Sequence, residues 1–237
     1  MKPLAFSICF FMVISLLGQD LTGSQLLDRA IAYHDPSGNW ETFNGAFNVT
    51  MESPNKAPRI SEIKINLPDE LFQVKATRDT IVTKYTLNQG ICSIELNGKE
   101  DLSEARLKEN NLSCDRAKLY KNYYSFLYGL PMKLKDPGTH ISEKVDRKTF
   151  QGKEYFILKA TYNVAVGSDF WYFYFDTETF AMEIYQFYNG DPLGKGKDTG
   201  EYILLTETFS TNNIKMPKKR AWYYNKDNKY LGTDILN

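Results

Sequence analysis

SDFWYFYFDTETFAMEIYQFY, residues 168–188, holds ten aromatic side chains in 21 positions, whereas aromatic residues make up 14% of the 237-residue chain. The polar tetrapeptide Asp176–Thr179 is typical of a four-residue loop between two paired strands. The stretch therefore predicts an antiparallel hairpin with a large apolar surface.

The two faces of this hairpin are predicted to differ in polarity. Side chains alternate along a strand, and placing Phe175 opposite Phe180 sets the register. One face is then entirely apolar, with Trp171, Phe173, Phe175, Phe180, Met182 and Ile184. The other face is aromatic but wetter, with Phe170, Tyr172, Tyr174, Glu183, Tyr185 and Phe187. The apolar face needs either a covering element or a ligand.

The first 18 residues are predicted to be a signal peptide. Lys2 precedes an apolar run at 4–17, LAFSICFFMVISLL, which is short for a membrane span. Gly18 supplies the small residue that cleavage favours, and an uncleaved anchor is the alternative. We therefore expect a periplasmic or secreted protein, not an integral membrane protein, with one domain at 19–237.

Composition argues against several classes of function. The 29 basic and 29 acidic residues balance, and no basic stripe predicts a nucleic-acid partner.

Cys92 and Cys114 remain after loss of the signal, and such a pair in an oxidising compartment predicts a disulfide. Metal ligation and a redox pair are the alternatives, but the spacing is not C-x-x-C and no His lies nearby.

The rest of the chain predicts an α+β fold. An amphipathic helix at 24–34, with Ser24 as N-cap, comes first. Five strands separated by turns follow, at 45–52, 60–67, 70–78, 81–87 and 91–96. Two helices come next, at 102–110 and 115–128. The later strands are 144–150, 153–162, the two of the hairpin, 202–210, 214–224 and 230–235.

About twelve strands with short connections predict sequential antiparallel pairing. A sheet of that size curls or closes, so we expect a strongly curved sheet, a half-open barrel. The N-terminal helix and the mid-chain helices would cover its hollow side, with the latter as a plug. The apolar face of the hairpin would line the hollow together with one side of the second mid-chain helix, Leu119, Tyr123, Phe126 and Leu127.

Residues typical of catalysis are sparse. His34 beside Asp35 resembles a base with an orienting carboxylate, but the alternative is a histidine that interacts with the helix dipole. His140 is predicted to lie in a loop. No hydrolase, metal or phosphate-binding motif occurs, and no carboxylate pair stands out among 29 acidic residues. The sequence indicates no cofactor and no metal site.

Two resemblances apply to most of the chain. Four segments resemble an uncharacterised family of exported Gram-negative bacterial proteins: YHDPSGNW at 33–40, YKNYYSFLYGLPMKLKDPG at 120–138, WYFYFD at 171–176 and AWYYNKDNKYLGT at 221–233. The layout of helices and strands, with a turn and a Pro-bearing strand at 213–217, resembles the periplasmic lipoprotein-carrier fold of the LolA type. That resemblance implies a curved sheet plugged by helices around a hydrophobic cavity.

Three functional hypotheses follow. The first is a non-enzymatic exported protein that binds a lipid, an acyl chain or another hydrophobic small molecule in the hollow of the sheet. The second is a structural or interaction module of the cell envelope, with a packed core and a protein partner. The third is a hydrolase that uses His34 or unassigned carboxylates.

Overall fold

A computed structural model describes residues 21–237. The predicted signal peptide at 1–18 lies outside the described residues. Three α-helices are present in the described part, α1 (Gly23–His34), α2 (Glu104–Glu109) and α3 (Cys114–Gly129). Two short 3₁₀ helices, Asn39–Thr42 and Met132–Lys135, follow α1 and α3.

Within residues 21–237, thirteen strands form one antiparallel sheet. The first five are β1 (Asn44–Ser53), β2 (Lys56–Asn66), β3 (Leu71–Arg78), β4 (Ile81–Asn88) and β5 (Ile91–Leu96). The middle strands are β6 (Thr139–Ile141), β7 (Asp146–Phe150), β8 (Lys153–Tyr162) and β9 (Phe170–Asp176). The last are β10 (Met182–Tyr188), β11 (Glu201–Thr211), β12 (Ile214–Tyr224) and β13 (Tyr230–Leu236).

Two meanders join to make this sheet. The spatial order is β5-β4-β3-β2-β1-β13-β12-β11-β10-β9-β8-β6, and β7 also pairs with β8. The link between the two halves is the pairing of β1 with β13, in which Val49 lies opposite Leu236. The predicted α+β class with a strongly curved antiparallel sheet is therefore confirmed.

The helices cover one face of the sheet. Helix α1 packs against β8 and β12, and α3 packs against β3, β4 and β5. Three tyrosines lie one turn apart on α3 and face the half of the sheet that contains β3, β4 and β5: Tyr120, Tyr124 and Tyr128. Tyr128 stacks on Phe47 of β1 with ring centroids 4.8 Å apart, and Tyr124 stacks on Phe72 of β3 at 6.4 Å. The predicted mid-chain plug is thus present, and its tyrosines form part of the core.

Helix α1 begins at Gly23, and its N-cap lies two residues before the predicted one. Its N-cap is Thr22 rather than Ser24, because the Thr22 hydroxyl accepts a hydrogen bond from the Gln25 amide. The side chain of Gln25 accepts one from the Thr22 amide in return, which completes a capping box.

The register of the aromatic hairpin differs from the prediction. Met182, not Phe180, lies opposite Phe175, and a β-bulge between Met182 and Ile184 then shifts the pairing. Because a one-residue shift turns every later side chain to the other face, Ile184 lies on the outer face and Tyr185 on the inner one. Ile184 is buried in a small outer cluster with Tyr155, Ile157 and Tyr174.

Phe180 also occupies an unexpected place. It lies in the loop with a positive φ of 63°, and its ring stacks on Phe156 of β8 at 6.0 Å.

The position of His140 also differs from the prediction. His140 is a strand residue rather than a loop residue, since it belongs to β6 and pairs with Thr161. Three residues are too short a strand for a periodic pattern to reveal, which explains why β6 was not predicted.

Cys92 and Cys114 form the predicted disulfide, with Cα atoms 6.0 Å apart. Cys92 lies on the terminal strand β5, and Cys114 is the first residue of α3. The bond therefore fastens the start of the plug helix to one border of the sheet.

Candidate functional site

An open cavity of about 780 Å³ lies between α3 and the later half of the sheet. Its floor is aromatic, with Trp171 of β9, Phe187 of β10 and Trp222 of β12. Tyr123 and Phe126 of α3 form the opposite wall: the Tyr123 ring stacks on Trp222 at 6.2 Å and Phe126 meets Trp171 edge-on at 5.3 Å. The loop at 163–169 and the segment after α3 form the rim.

The structure brings half of the predicted ligand-binding residues to this cavity. Leu119, Tyr123, Phe126, Leu127 and Trp171 line it. The other five do not line it, because they are core, loop or outer-face residues: Phe173, Phe175, Phe180, Met182 and Ile184. Phe173 and Phe175 are fully buried beneath the helices.

The shape of the site follows from the placement of α3. Its three stacked tyrosines fill the half of the hollow above β1, β3 and β4. The helix leaves the half above β9, β10 and β12 uncovered, which is why Trp171, Phe187 and Trp222 stay partly exposed. Leu119 and Val166 at the rim are 66% and 60% exposed. An open apolar hollow of this size is within the range of small-molecule sites.

The border of the cavity also carries polar and charged side chains, among them Lys121, Asn122, Lys133, Asp136 and Asp169. Two of its side chains carry a buried polar atom with no hydrogen-bond partner among residues 21–237: Ser125 Oγ and Tyr162 Oη. Apolar ligand sites characteristically contain a few such groups, which fix the orientation of the ligand.

A buried polar cluster lies behind the wall formed by Tyr123 and Trp222. We call it the Arg220 centre, and it consists of Arg220, Asp234, Tyr128, Tyr185 and Trp222. Arg220 is 0% exposed and Asp234 is 2% exposed. The two face each other on the neighbouring strands β12 and β13. The inner face of the sheet carries apolar residues elsewhere, but at these two neighbouring positions it carries a buried positive and a buried negative side chain.

Arg220 binds the plug helix as well as its own strand. Its Nη1 donates to the carbonyl of Pro217 at 3.0 Å, and its Nη2 donates to the carbonyl of Leu127 at 3.4 Å. The guanidinium carbon also lies 3.9 Å from the centre of the Tyr128 ring. Burial raises the pKa of Tyr128, and the guanidinium opposes this shift.

Asp234 Oδ2 accepts a hydrogen bond from the Tyr123 hydroxyl at 3.1 Å. Burial raises the pKa of Asp234, while the Arg220 charge and hydrogen bonds from Tyr123 and Trp222 oppose the shift. Burial likewise raises the pKa of Tyr123 well above its ordinary value, with the Asp234 charge adding to the effect. The tyrosine is therefore a proton donor in this pair and the carboxylate an acceptor.

Sequence reasoning missed Arg220 and Asp234, although a signal was present. Arg220 is in phase with Met216 and Trp222 on β12, and Asp234 is in phase with Leu236 on β13, at positions that face the core. The sequence signal for this buried pair was a charged residue at a core-facing position in each of two successive strands.

His34 has a structural role in this fold. Its Nδ1–H donates to the carbonyl of Lys215 at 2.7 Å, and its Nε2 accepts from the Met182 amide at 2.9 Å. Both ring nitrogens are thus occupied, so neither is free to move a proton. Burial lowers the pKa of His34 to about 4 despite the hydrogen bond to Lys215. The expected interaction with the helix dipole is replaced by a link between α1 and two strands.

Asp35 does not orient His34. Its carboxylate accepts hydrogen bonds from the amides of Asn39 and Trp40, each at 2.8 Å, and so caps the 3₁₀ helix that follows. The geometry gives no support to a catalytic pair at these positions.

The described helices include none with the length and apolar character of a membrane span.

Comparison with solved structures identifies the fold. The chain is similar to the crystal structure of a LolA superfamily protein from Nitrosomonas europaea, with 10% identity, a TM-score of 0.51 and 91% of each chain covered. It is also similar to a DUF1329 family protein from Desulfovibrio piger, with 10% identity, a TM-score of 0.52 and 92% of each chain covered. The predicted LolA-like fold is therefore confirmed.

No curated protein sequence matches the chain. A family profile does match, over residues 2–236, and its description is a family of unknown function, DUF6503. Because the match spans nearly the whole sequence, this chain belongs to the DUF6503 family.

Proposed function

We propose that this protein binds a hydrophobic ligand, a lipid or an acyl chain, in the cavity between α3 and the later strands. The observation that carries the proposal is the open hollow of about 780 Å³ with an aromatic floor and with the apolar side chains of Leu119 and Val166 exposed at its rim. Removing an acyl chain from water stabilises the complex by about 0.8 kcal/mol for each buried CH₂ group. Trp171, Phe187 and Trp222 provide the surface that would bury it.

The protein would act without catalysing a reaction, in the periplasm or outside the cell after removal of the predicted signal peptide. The resemblance of the sequence to LolA-type carriers supports a role in holding or moving a lipid. The partly exposed side chains at 119 and 166 support direct entry of the ligand from the rim. A packed core with a protein partner remains the alternative, and the open cavity favours the ligand.

Native mass spectrometry of the mature protein from a bacterial periplasm, before and after organic extraction, tests the proposal. A variant that fills the cavity sharpens the test. Gly167 lines the cavity, and a Cβ added there would meet no heavy atom within 4 Å. The first side-chain atom of Gly167→Trp therefore meets no neighbour, and the variant is designed to direct its indole into the hollow. Val164→Trp is the matched control, since Val164 is 93% exposed on the same loop and does not line the cavity.

We expect a bound lipid mass that is lost on extraction, retained in the Val164→Trp variant and absent from a folded Gly167→Trp variant. Bare protein in every preparation, with no uptake of added fatty acid or phospholipid, would reject the proposal. Equal lipid occupancy in both tryptophan variants would reject the cavity as the site.

A further inference from the structure

A carboxylate lies at the rim of the cavity, just before the start of β9. Side chains alternate along an extended chain, so Asp169 is in phase with Trp171 and Phe173, which belong to the inner face of the sheet. The pairing of β8 with β9 ends where Ala160 lies opposite Trp171, and its continuation sets Tyr162 opposite Asp169. Both of these residues line the cavity. The aromatic row of β9 therefore ends in a negative charge at the mouth of the hollow.

Asp169 has no cation beside it. Four charged side chains line the cavity: Lys121, Lys133, Asp136 and Asp169. Lys133 forms an ion pair with Asp136, so these two charges balance each other. Burial raises the pKa of Asp169, and neither Lys121 nor any other charge among residues 21–237 opposes the shift. A partly buried carboxylate without a counter-charge is stabilised by a cation, which here has to come from a ligand.

Aromatic rings border the same part of the cavity. The Phe126 ring of α3 meets the Tyr162 ring edge-on at 6.2 Å and the Trp171 ring edge-on at 5.3 Å. The charge of Asp169 raises the pKa of Tyr162, which shows that the carboxylate lies close to this ring. We call these four residues the aromatic corner. Ring faces beside a carboxylate attract an ammonium group and disfavour an anion.

The backbone next to the aromatic corner is held in place. The Asn163 amide donates to the carbonyl of Gly138 at 2.8 Å, and the Asn163 carbonyl accepts from the Val166 amide at 2.7 Å. The side chain of Asn163 also lies 2.7 Å from His140 Nε2 of β6. The loop that leads to Asp169 is therefore fastened to its neighbours, and a preorganised site loses less free energy on binding.

We propose that the aromatic corner binds the ammonium group of an amphiphile whose chain occupies the cavity, an inference that rests on the proposed function. Asp169 would balance the positive charge, and the three rings would contact the carbon atoms attached to the nitrogen. The chain would extend from the rim along the floor, toward Phe187 and Trp222. A simple alkylammonium and the ammonium-bearing head of a phospholipid both supply this chemistry.

Asp169→Asn tests the carboxylate, because it removes the charge and keeps the size of the side chain. Burial disfavours the charged carboxylate, so this variant should melt at the parental temperature or above it. Asp79→Asn is the matched control. It makes the same change in net charge at an exposed position in the turn between β3 and β4.

The probes are dodecyltrimethylammonium, dodecylphosphocholine, methyl dodecanoate and dodecanoate, each measured by displacement of a neutral fluorescent apolar dye from the mature protein. We expect dodecyltrimethylammonium to bind about tenfold more tightly than the uncharged ester, and dodecanoate to bind most weakly. Asp169→Asn should weaken dodecyltrimethylammonium binding about tenfold and leave the ester nearly unchanged. Asp79→Asn should bind every probe as the parent protein does.

Two further comparisons sharpen the assignment. Tyr162→Leu should weaken dodecyltrimethylammonium binding about fivefold, whereas Tyr162→Phe keeps the ring and should bind as the parent does. Dodecylphosphocholine distinguishes the two sources of the ammonium. Tight binding that depends on Asp169 would identify a phospholipid head, and weak binding beside tight dodecyltrimethylammonium would identify a simple alkylammonium.

This proposal and the proposed function fail in different ways. If dodecanoate binds more tightly than dodecyltrimethylammonium, the site selects an anion and the ammonium site is wrong. If all four probes bind equally and Asp169→Asn has no effect, the ammonium site is wrong and the hydrophobic cavity stands. If no probe binds, both proposals are rejected.

Discussion

The hydroxyl of Tyr123 on α3 donates a hydrogen bond to Asp234 on β13 at 3.1 Å, and so connects the plug helix to the last strand. Asp234 faces Arg220 across the strand pair, and Arg220 in turn reaches the carbonyl of Leu127 at 3.4 Å. Asp234 and Arg220, two buried residues of opposite charge, therefore both form a hydrogen bond to the sheet-facing side of α3. Its outer side is free to border the cavity.

Neutralising Asp234 should destabilise the fold strongly. Asp234→Asn leaves the buried Arg220 charge without its counterpart, and loss of one partner of a buried pair costs about 3 kcal/mol. Arg220→Met in the same background should recover part of this loss, giving a coupling energy of about 2 kcal/mol in a double-mutant cycle. The free energies of unfolding come from denaturant titration.

An exposed pair provides the control for this cycle. Lys75 and Glu62 form a cross-strand ion pair at 2.9 Å with side chains about half exposed. Lys75→Met and Glu62→Gln should couple by less than about 1 kcal/mol, because solvent screens the pair. Strict additivity at Arg220 and Asp234 would show that the two buried charges do not interact.

His34 should make the stability of the protein depend on pH. Its pKa is about 4 in the folded state and near 6.5 in the unfolded chain. Above pH 6.5 both states hold the neutral ring, and no stability is lost. As pH falls from 6.5 to 4, the unfolded chain binds the proton first, so stability decreases by about 3 kcal/mol over that window.

A variant isolates this contribution from the carboxyl groups that titrate nearby. His34→Gln keeps one donor and one acceptor for Lys215 and Met182 but does not titrate, so its free energy of unfolding should fall less steeply between pH 6.5 and 4. His140→Gln, at an exposed position, should keep the parental slope. Identical slopes for the parent and His34→Gln would mean that His34 is not the group responsible.

Reducing the disulfide should loosen the attachment of α3. Cys92 and Cys114 are 22 residues apart, and a crosslink of that length stabilises a fold by about 3 kcal/mol on the chain-entropy model. The Cys92→Ser/Cys114→Ser variant should therefore unfold at lower denaturant, with faster hydrogen exchange in the first turns of α3 than in β11. A thiol reductant should destabilise the parent and leave the variant unchanged. Equal exchange in α3 of both proteins would contradict this prediction.

Sequence periodicity was sufficient for the class, the long strands and the plug, because each depends on local alternation and turn chemistry. It failed for the hairpin register, since the extra residue between Met182 and Ile184 and the positive φ of Phe180 leave no mark in the apolar pattern. Five of the ten residues predicted to line the hollow therefore line the cavity. Residues on α3 reached the cavity because a helix face follows from spacing alone. Phe173 and Phe175 did not, because coverage by α1 and α3 is a tertiary property.

A tertiary contact also explains why the start of α1 requires a glycine at position 23. A Cβ at this position would lie 1.9 Å from the carbonyl oxygen of Ser142, whose backbone is held by a hydrogen bond to Lys159 of β8 at 2.9 Å. Gly23→Ala must therefore displace the helix or the neighbouring chain, at about 2 kcal/mol. Thermal unfolding should show a lower melting temperature for this variant. Gly167→Ala adds a methyl group that meets nothing within 4 Å, so this variant should have the same melting temperature as the parent protein. An equally stable Gly23→Ala variant would show that α1 can shift away from Ser142 without loss of its packing.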